Sequence, residues 1–330
     1  MYYPDYSSLF QKLLQELRGQ KVAIVSHVRP DGDSIGSQLG LCRILRTVRI
    51  EACVVADVLP QAFLPFAGDT PVYTSSDLSL GDFTPIFVDC ADVSRAEKPL
   101  HKAYLRPFLN IDHHRSNTLY AAHNIVDEAA AATAEVLTAL SCDAKIPLDA
   151  VTAQALFLGI ATDTGQFLYT SASTRVFELC TYLTQCGARP DALDQALYQN
   201  EPFEKLQLLQ RFLGSIRLEW GGKIGLACLK SQDYTETQTS TQHSEGFINY
   251  VRSIEGVQLA VFVDENAQTK ALKLSLRAKD PKYRLDLLAQ GFGGGGHACA
   301  AGLTVQEAYE TFLPKFLSEA RSHVEAREIA

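Results

Sequence analysis

Residues 22–34 read VAIVSHVRPDGDS, a short apolar run followed at once by a polar loop. The run has the length of a buried strand, and the proline and glycine that follow it favour a turn. Directly after this strand the loop supplies one imidazole, His27, and two carboxylates, Asp31 and Asp33. In open parallel sheets ligands bind at the carboxyl ends of strands. The stretch therefore predicts both a strand and a binding site at its end.

Similar apolar runs recur at residues 52–56, 86–89 and 108–112, separated by helix-like or turn-rich sequence. This rhythm predicts an α/β domain with a largely parallel sheet flanked by helices. The helix patterns in this half lie at residues 37–46, 128–140, 148–162 and 173–186.

The second half of the chain has a different pattern. Residues 215–230 form two alternating segments around Gly221-Gly222 and predict a hairpin. Residues 231–246 are rich in Ser, Thr and Gln and predict a solvated loop. Two strand patterns, at 258–263 and 271–278, precede a helix and a glycine-rich loop at 293–297. We expect a first domain at residues 1–190, a helical linker at 191–214, and a smaller α+β domain at 215–330.

Composition narrows the class of substrate. The 330 residues include 38 acids and 30 bases, a formal net charge of -8, so the surface should repel a long polyanion. We therefore expect no long nucleic acid as a partner. The eight cysteines form no Cys-x-x-Cys pair, and we find neither an export signal nor eighteen consecutive apolar residues. These features predict a reduced, cytoplasmic location and no membrane partner.

Acidic residues recur where the predicted elements end. Asp89 and Asp112 close two of the apolar runs, and Asp163 follows the helix at 148–162. Carboxylates that converge in a pocket of low dielectric repel one another unless cations bind them. Any one of them could instead be a helix N-cap, but the ordered set argues against coincidence. Mixed His and Asp ligands suit Mn²⁺ or another first-row divalent ion, whereas Mg²⁺ prefers oxygen alone.

The set resembles the four signature motifs of the DHH phosphoesterases, at residues 27–33, 88–92, 112–114 and 162–165. Residues 293–302, GGGGHACAAG, resemble the glycine-rich signature of the DHHA subdomain that follows in many members. Together these matches cover nearly the whole chain. Length and motif order are most similar to the branch of stand-alone oligoribonucleases and 3′-phosphoadenosine 5′-phosphate phosphatases.

The resemblance implies a role for each matching residue. Two divalent metal ions are implied, Mn²⁺ first, with Mg²⁺ or Co²⁺ as alternatives. Asp89 bridges them, with the remaining ligands His27, Asp31, Asp33, His113 and Asp163. His114 then faces the scissile phosphate, and Asp112 orients the histidine pair. The implied nucleophile is water, activated between the metals.

In the second domain the resemblance implies a substrate site. The matching positions are Ser275, Arg277, Gly294, Gly295, Gly296 and His297, with Arg252 as a further phosphate contact. Glycines permit close backbone approach, and a guanidinium holds phosphate bidentately. Residue 278 is Ala where family members often have Ser, which places one additional phosphate hydrogen bond in doubt. The neighbours of the histidine pair, residues 115–117, are candidate positioning groups.

The expected activity is hydrolysis of oligonucleotides a few nucleotides long to mononucleotides, and of 3′-phosphoadenosine 5′-phosphate to AMP and phosphate. Alternatives are hydrolysis of cyclic dinucleotides or their linear products, and a non-catalytic nucleotide-binding regulator. Inorganic pyrophosphatase is a weaker alternative, because that class carries a different basic signature in its second domain. A homodimer is a further expectation.

Overall fold

The computed structural model describes residues 1–265 and 271–328. The chain divides into two compact units, Met1–Asn200 and Glu201–Ala330. Each unit has a six-stranded sheet and its own hydrophobic core. The predicted fold class, a helix-flanked parallel sheet followed by a smaller α+β domain, is confirmed.

The first unit is built on a parallel sheet of order β3-β2-β1-β4-β5-β6. Its strands β1 to β6 are Lys21–Val25, Glu51–Val55, Val72–Tyr73, Thr84–Val88, Leu109–Asp112 and His123–Val126. Its helices α1 to α7 are Pro4–Glu16, Gly32–Thr47, Lys98–Ala103, Thr133–Asp143, Ala150–Asp163, Thr174–Gln185 and Pro190–Tyr198. Strand order reverses between β1 and β4, so the loops after these two strands diverge and leave a crevice at the sheet edge.

Both faces of this sheet are buried, which explains the uninterrupted apolar runs in the sequence. Along β1, Val22 and Ile24 pack into the core that includes α2, α4 and α5. Ala23 and Val25 point the other way, into a smaller core with Leu100 of α3. The alternation places every β1 side chain after Lys21 in a core.

Helices α2 and α5 pack against each other through glycine. Gly32, Gly36 and Gly40 lie four residues apart on α2, on one face of the helix. A Cβ atom at Gly36 would collide with the Ala155 carbonyl oxygen and lie 2.8 Å from the backbone nitrogen of Gly159. The start of α2 thereby meets the end of α5, and the acidic residues at these two helix ends become neighbours.

Several elements of this unit were not predicted from the sequence. Helix α1 has no cap from its own Tyr3; instead the distant Asp143 carboxylate accepts from the Tyr2 and Tyr3 nitrogens, both at 2.8 Å. Strands β3 and β6 are short and were also missed. The helix predicted at 128–140 begins only at Thr133, because residues 128–132 form a turn that leads into the site.

The second unit has a mixed sheet of order β11-β12-β10-β9-β8-β7, in which only the β8–β9 pair is parallel. Strands β7 to β12 are Arg217–Glu219, Ile224–Leu229, Leu259–Glu265, Leu272–Ala278, Gly295–His297 and Ala300–Val305. Helices α8 to α12 are Phe203–Gly214, Ser231–Glu236, Ile248–Ser253, Leu285–Gln290 and Tyr309–Glu328. The hairpin predicted around Gly221-Gly222 is the antiparallel pair β7–β8.

The two faces of the second sheet differ. One face packs Leu272, Leu274 and Leu276 of β10 against α11 and α12. On the other face, helices α8 to α10 cover Ala227 of β8 and Phe262 of β9. The side chains of β10 on that second face, Lys273, Ser275 and Arg277, are exposed or only half-buried. This face is therefore covered over β8 and β9 but accessible over β10.

The prediction of a solvated loop at 231–246 was wrong. This stretch contains α9 and a 3₁₀ turn at Thr241–Ser244. Tyr234 explains the order, since its ring is buried in the core and its hydroxyl donates to Asp264 at 2.9 Å. The glycine-rich stretch also differs from the predicted loop, because Gly295–His297 forms β11.

The division between the units falls within the predicted linker 191–214. Helix α7 belongs to the first unit, and α8 to the second, where Leu208 and Phe212 are fully buried. All eight cysteines are free thiols. Among the described residues, no helix is both long and apolar enough to cross a lipid bilayer.

The close packing of α2 on α5 predicts that Gly36→Ala is destabilising. The added methyl group meets backbone atoms, which cannot rotate away, so we expect a loss of about 1–3 kcal/mol in unfolding free energy. Gly81→Ala is the matched control, because a Cβ atom there has nothing within 4 Å. Urea unfolding compares the two; equal midpoints for both variants would contradict the steric role of this packing.

Candidate active site

The structure brings together the predicted ligands of the first unit at the carboxyl edge of its sheet. His27 follows β1, Asp89 follows β4, and His113 follows β5. Asp31 caps α2, accepting from the Ser34 nitrogen at 3.0 Å, and Asp163 is the last residue of α5. These positions surround the crevice between β1 and β4.

Asp33 is held by the beginning of another helix. Its carboxylate accepts from the backbone nitrogens of Thr133 at 2.6 Å and Ala134 at 2.9 Å, the first two residues of α4. Helix N-termini favour negative charge through such unpaired N–H groups. This contact fixes Asp33 without any basic side chain, and the residue is only 1% exposed.

Asp89 lies between two groups of ligands. Its Oδ2 atom is 3.6 Å from Nε2 of His27, and its Oδ1 atom is 3.6 Å from Nε2 of His113. Ser34 donates to Oδ2 at 2.7 Å, and Thr133 donates to Oδ1 at 3.1 Å. Asp89 has a backbone φ of 50°, a left-handed conformation that Asp adopts more readily than most non-glycine residues. The two carboxylate oxygens thus face opposite sides of the crevice.

His27 and His113 are both held by a backbone carbonyl at the same ring nitrogen, Nδ1. Nδ1 of His27 lies 2.7 Å from the Val28 carbonyl oxygen, and Nδ1 of His113 lies 3.2 Å from that of Ala130. A carbonyl only accepts hydrogen bonds, so in these two rings the proton is assigned to Nδ1. Each Nε2 atom then carries the lone pair that a metal ligand needs, the arrangement typical of metal-binding histidine. In His27 this atom lies 2.7 Å from the Ser34 hydroxyl oxygen.

His114 is oriented by a chain of polar contacts. Its Nδ1 donates to Oδ1 of Asp112 at 2.8 Å. The fully buried Asp112 also accepts from the His113 backbone nitrogen at 2.8 Å and from the Asn117 amide at 2.5 Å. Asp112 thus contacts both histidines, and Asn117 in turn fixes Asp112. The Nε2 atom of His114 takes no part in these contacts.

The electrostatics of the cluster are unfavourable for three neighbouring carboxylates. Burial, followed by the charges of Asp89 and Asp163, raises the pKa of Asp33 well above its usual range. Burial also raises the pKa of Asp163 to about 6, despite the opposing charge of His113. Burial would likewise raise the pKa of Asp89, but His27, His113 and Ser34 together lower it to about 2. Among the described residues no Lys or Arg forms an ion pair with these carboxylates.

This donor set fits divalent cations. His27, Asp31 and Asp89 have ligand atoms within 4.8 Å of one another, and so do Asp33, His113 and Asp163. The first group is the first ligand set that the resemblance implied. The second group contains three of the four implied ligands, and Oδ1 of the fourth, Asp89, lies 3.6 Å from Nε2 of His113. A third grouping consists of Asp89, His113 and His114, and Nδ1 of His114 is hydrogen-bonded to Asp112. Cations in the first two groups would neutralise the buried acids.

Arg252 and Arg277 lie close together in the second unit. Burial, and then the charge of Arg252, lowers the pKa of Arg277 below its usual range. The Arg277 guanidinium donates to its neighbouring Leu276 carbonyl at 2.9 Å. Within the described ranges neither arginine has a carboxylate within 4.0 Å. Two adjacent guanidinium groups without an acidic partner favour binding of an anion such as phosphate.

The glycine-rich strand lies in line with these groups. Strand pairing aligns His297 with Ala300 and Arg277, and Gly295 with Gly302 and Ser275. Residues directly opposite on neighbouring strands share a face of the sheet, so these side chains all lie on the accessible face. Among the predicted substrate residues, His297, Gly295, Ser275 and Arg277 thus form one surface.

The glycines of this stretch serve different purposes. A Cβ atom at Gly294 would collide with the Gly302 carbonyl oxygen and lie 2.6 Å from Cβ of Leu303. Gly296 has a φ of 144°, and a Cβ atom there would lie 2.6 Å from Cα of Ala301. A Cβ atom at Gly295 would have no neighbouring atom within 4 Å. Gly294 and Gly296 are therefore required by the fold, and of the three glycines predicted to bind substrate, Gly295 is the one that leaves space for a ligand.

Some contributors were not identified from the sequence. Ser34 and Thr133 donate to Asp89, and the Ala130 carbonyl orients His113. The two hydroxyl residues lie at the starts of helices next to the acidic motifs, and this position could have indicated their contact with Asp89. A backbone carbonyl carries no side-chain signal, so the role of Ala130 could not be found from residue types.

Known protein families match both units. The model of the DHH family, N-terminal domain, matches residues 21–160, and that of the DHHA1 domain matches residues 213–326. The chain is 30% identical over 317 residues to the bifunctional oligoribonuclease and PAP phosphatase NrnA of Thermus thermophilus, covering 94% of this chain and 93% of that protein. The protein of the same name from Bacillus subtilis is 25% identical over 285 residues, covering 84% and 87%.

A solved structure has the same fold. The exopolyphosphatase-related protein from Bacteroides fragilis superposes with a TM-score of 0.86 at 23% identity, covering 99% of this chain and 98% of that chain.

We expect the same substitution, glycine to alanine, to have different effects at the adjacent positions Gly294 and Gly295. Gly294→Ala should lower the unfolding free energy by about 1–3 kcal/mol, because its methyl group meets β12. Gly295→Ala should leave stability unchanged but raise KM for nucleotides several-fold, since its methyl group lies on the accessible face. Thermal unfolding and steady-state kinetics measure the two effects. Equal stability of both variants would contradict the division of roles.

Proposed function

This chain belongs to the DHH family, and on that premise we propose that it is a two-metal phosphoesterase of small nucleotide substrates. Its proposed reactions are hydrolysis of short oligonucleotides to mononucleotides and of 3′-phosphoadenosine 5′-phosphate to AMP and phosphate. The observation that carries the proposal is Asp89, whose two oxygens each face a separate set of ligands. The relatives named as oligoribonuclease and PAP phosphatase support the choice of substrates.

In the proposed mechanism His27, Asp31 and Asp89 would hold one metal ion, and Asp33, Asp89, His113 and Asp163 would hold the other. Bound there, the ions, with Mn²⁺ preferred, would activate a water molecule and neutralise phosphate charge. The protein contributes preorganised ligands, because Asp33 is fixed by α4 and each Nε2 atom is aimed by a bonded Nδ1. His114, held in place by Asp112 and Asn117, donates from Nε2 to a phosphoryl oxygen in its imidazolium form. The hydrogen bond to Asp112 raises the pKa of His114 and so favours this form.

The second unit supplies the proposed recognition of substrate. Arg277 and Arg252 bind a phosphate group that is not hydrolysed, and Ser275, Gly295 and His297 border it on the accessible sheet face. A net charge of -8 disfavours long nucleic acids, which need an extended basic surface. A site with only a few positively charged side chains is suited to a short anionic substrate.

A direct comparison of substrates tests this function. Purified protein with Mn²⁺ is assayed against 3′-phosphoadenosine 5′-phosphate, a linear dinucleotide, a long RNA, a cyclic dinucleotide and pyrophosphate. We expect fast turnover of the first two and little of the long RNA. Preference for the cyclic dinucleotide or for pyrophosphate would replace the proposal with that alternative. Nucleotide binding without hydrolysis would indicate a regulator.

The bridging role of Asp89 predicts the effect of Asp89→Asn. The amide keeps the size of the side chain but loses its charge, so the variant should bind fewer than two Mn²⁺ ions. Loss of kcat should exceed about 100-fold, because even residues behind a metal ligand contribute about 10–100-fold. Calorimetric metal titration and initial rates measure both effects.

The control for this variant is Asp82→Asn, which neutralises an exposed carboxylate of the same unit. It should bind metal and turn over as the unmodified protein does. If Asp89→Asn retained two metal ions and most of its activity, the two-metal assignment would be wrong.

A further inference from the structure

A cavity of about 380 Å³ lies on the second unit between the accessible part of the sheet and the residues that precede and begin α10. Ser275 and Arg277 line it and already belong to the proposed phosphate site. The cavity continues past them to Phe262, Asp264 and Lys273. These three residues have no part in the function proposed so far.

The strand register gives the cavity a direction. Lys273, Ser275 and Arg277 alternate along β10 and share one face, and Arg277 is about 13 Å from Lys273 along the strand. On β9, Asp264 lies directly opposite Lys273, and Phe262 lies opposite Ser275. One nucleotide spans this length from its phosphate to the far edge of its base. The cavity therefore has room for a single nucleotide laid along β10.

The charges at the two ends differ. Arg277 has Arg252 beside it, and the described residues offer this pair no carboxylate. Lys273 instead faces the Asp264 carboxylate across the strand pair. A phosphate is attracted to the arginine end and repelled by Asp264 at the other end. A nucleotide bound in this direction would place its base at the Asp264 end and its sugar above Ser275 and Phe262.

Asp264 is a fixed hydrogen-bond acceptor. It is only 7% exposed, and its Oδ1 atom accepts from the Tyr234 hydroxyl at 2.9 Å. Tyr234 also contacts the Ser244 hydroxyl at 3.3 Å. Within residues 1–265 and 271–328, the Oδ2 atom of Asp264 has no hydrogen-bond donor, although the residue lines the cavity. This oxygen is therefore open to a ligand that brings a hydrogen-bond donor, on a carboxylate whose other oxygen is held by Tyr234.

We infer that this end of the cavity selects a nucleobase with an exocyclic amino group, which donates a hydrogen bond to Asp264. The inference rests on the proposed function, since it concerns the substrate of the same enzyme. Cytosine, adenine and guanine carry such an amino group. Uracil presents a carbonyl oxygen instead, which meets the carboxylate as a second acceptor. Lys273 donates to the ring nitrogen or carbonyl oxygen beside the amino group.

Cytosine and uracil form the sharpest test, because their nucleotides have nearly the same shape and charge. Equilibrium affinities of the full chain for 5′-CMP and 5′-UMP are measured by calorimetry. Both are end products of the proposed reaction, so neither is consumed. A hydrogen bond to a charged acceptor contributes enough for about a tenfold preference for 5′-CMP.

Asp264→Asn should reduce this preference to near one, because the amide offers a donor and an acceptor in place of two acceptor oxygens. Glu255→Gln is the control, since it neutralises an exposed carboxylate of the same unit outside the cavity. It should keep the tenfold ratio.

A ligand lacking only the amino group, the 5′-monophosphate of pyrimidin-2-one riboside, should bind the unmodified chain about tenfold more weakly than 5′-CMP. That measurement stands even if Asp264→Asn fails to fold.

Equal affinity of the unmodified chain for the two nucleotides, or a ratio retained in folded Asp264→Asn, would overturn the inference. So would the absence of binding to either nucleotide. These results are independent of the hydrolysis assay. A chain that prefers 5′-CMP but hydrolyses neither dinucleotides nor 3′-phosphoadenosine 5′-phosphate would refute the proposed enzyme and leave the base selectivity intact. A chain that hydrolyses these substrates but binds 5′-CMP and 5′-UMP equally would support the proposed enzyme and refute the base selectivity.

Discussion

Helices α2 and α5 approach each other so closely that glycine is required on α2, and the acidic cluster depends on this approach. The helices run in opposite directions where they meet, so Asp33 near the start of one comes close to Asp163 at the end of the other. Gly159 of α5 is part of the same contact, because a Cβ atom there would lie 2.6 Å from a carboxylate oxygen of Asp33. The close packing of α2 on α5 therefore also fixes the relative positions of the acidic side chains in the cluster.

The same packing creates an electrostatic cost that the protein only partly offsets. The N-terminus of α4 stabilises Asp33, and hydroxyl and imidazole groups stabilise Asp89. Asp163 has His113 Nε2 at 3.2 Å, but burial still raises its pKa to about 6. Buried carboxylates that are hydrogen-bonded but lack Lys or Arg partners are suited to binding cations rather than to forming ion pairs. The second unit has the complementary feature, two adjacent arginines that favour an anion.

The sequence predicted the parts of this architecture that depend on side-chain pattern. Apolar runs located the central strands, and the acids at their ends located the crevice. The pattern could not reveal α1, because its cap is Asp143, more than a hundred residues away. It also could not reveal the order of residues 231–246, where one buried tyrosine outweighs a polar composition. The roles of the glycines at 294–296 depend on which backbone lies beside each of them, and this is set only by the pairing of β11 with β12.

The half-covered sheet of the second unit has a consequence for how such a protein diversifies. The segment that covers β8 and β9 contributes walls of the cavity but none of the proposed metal ligands. Substitutions in this segment can therefore reshape ligand choice while the hydrolytic chemistry is inherited unchanged. A lineage could acquire new substrates by altering one short stretch of chain, and engineered exchange of that stretch between relatives offers the same route.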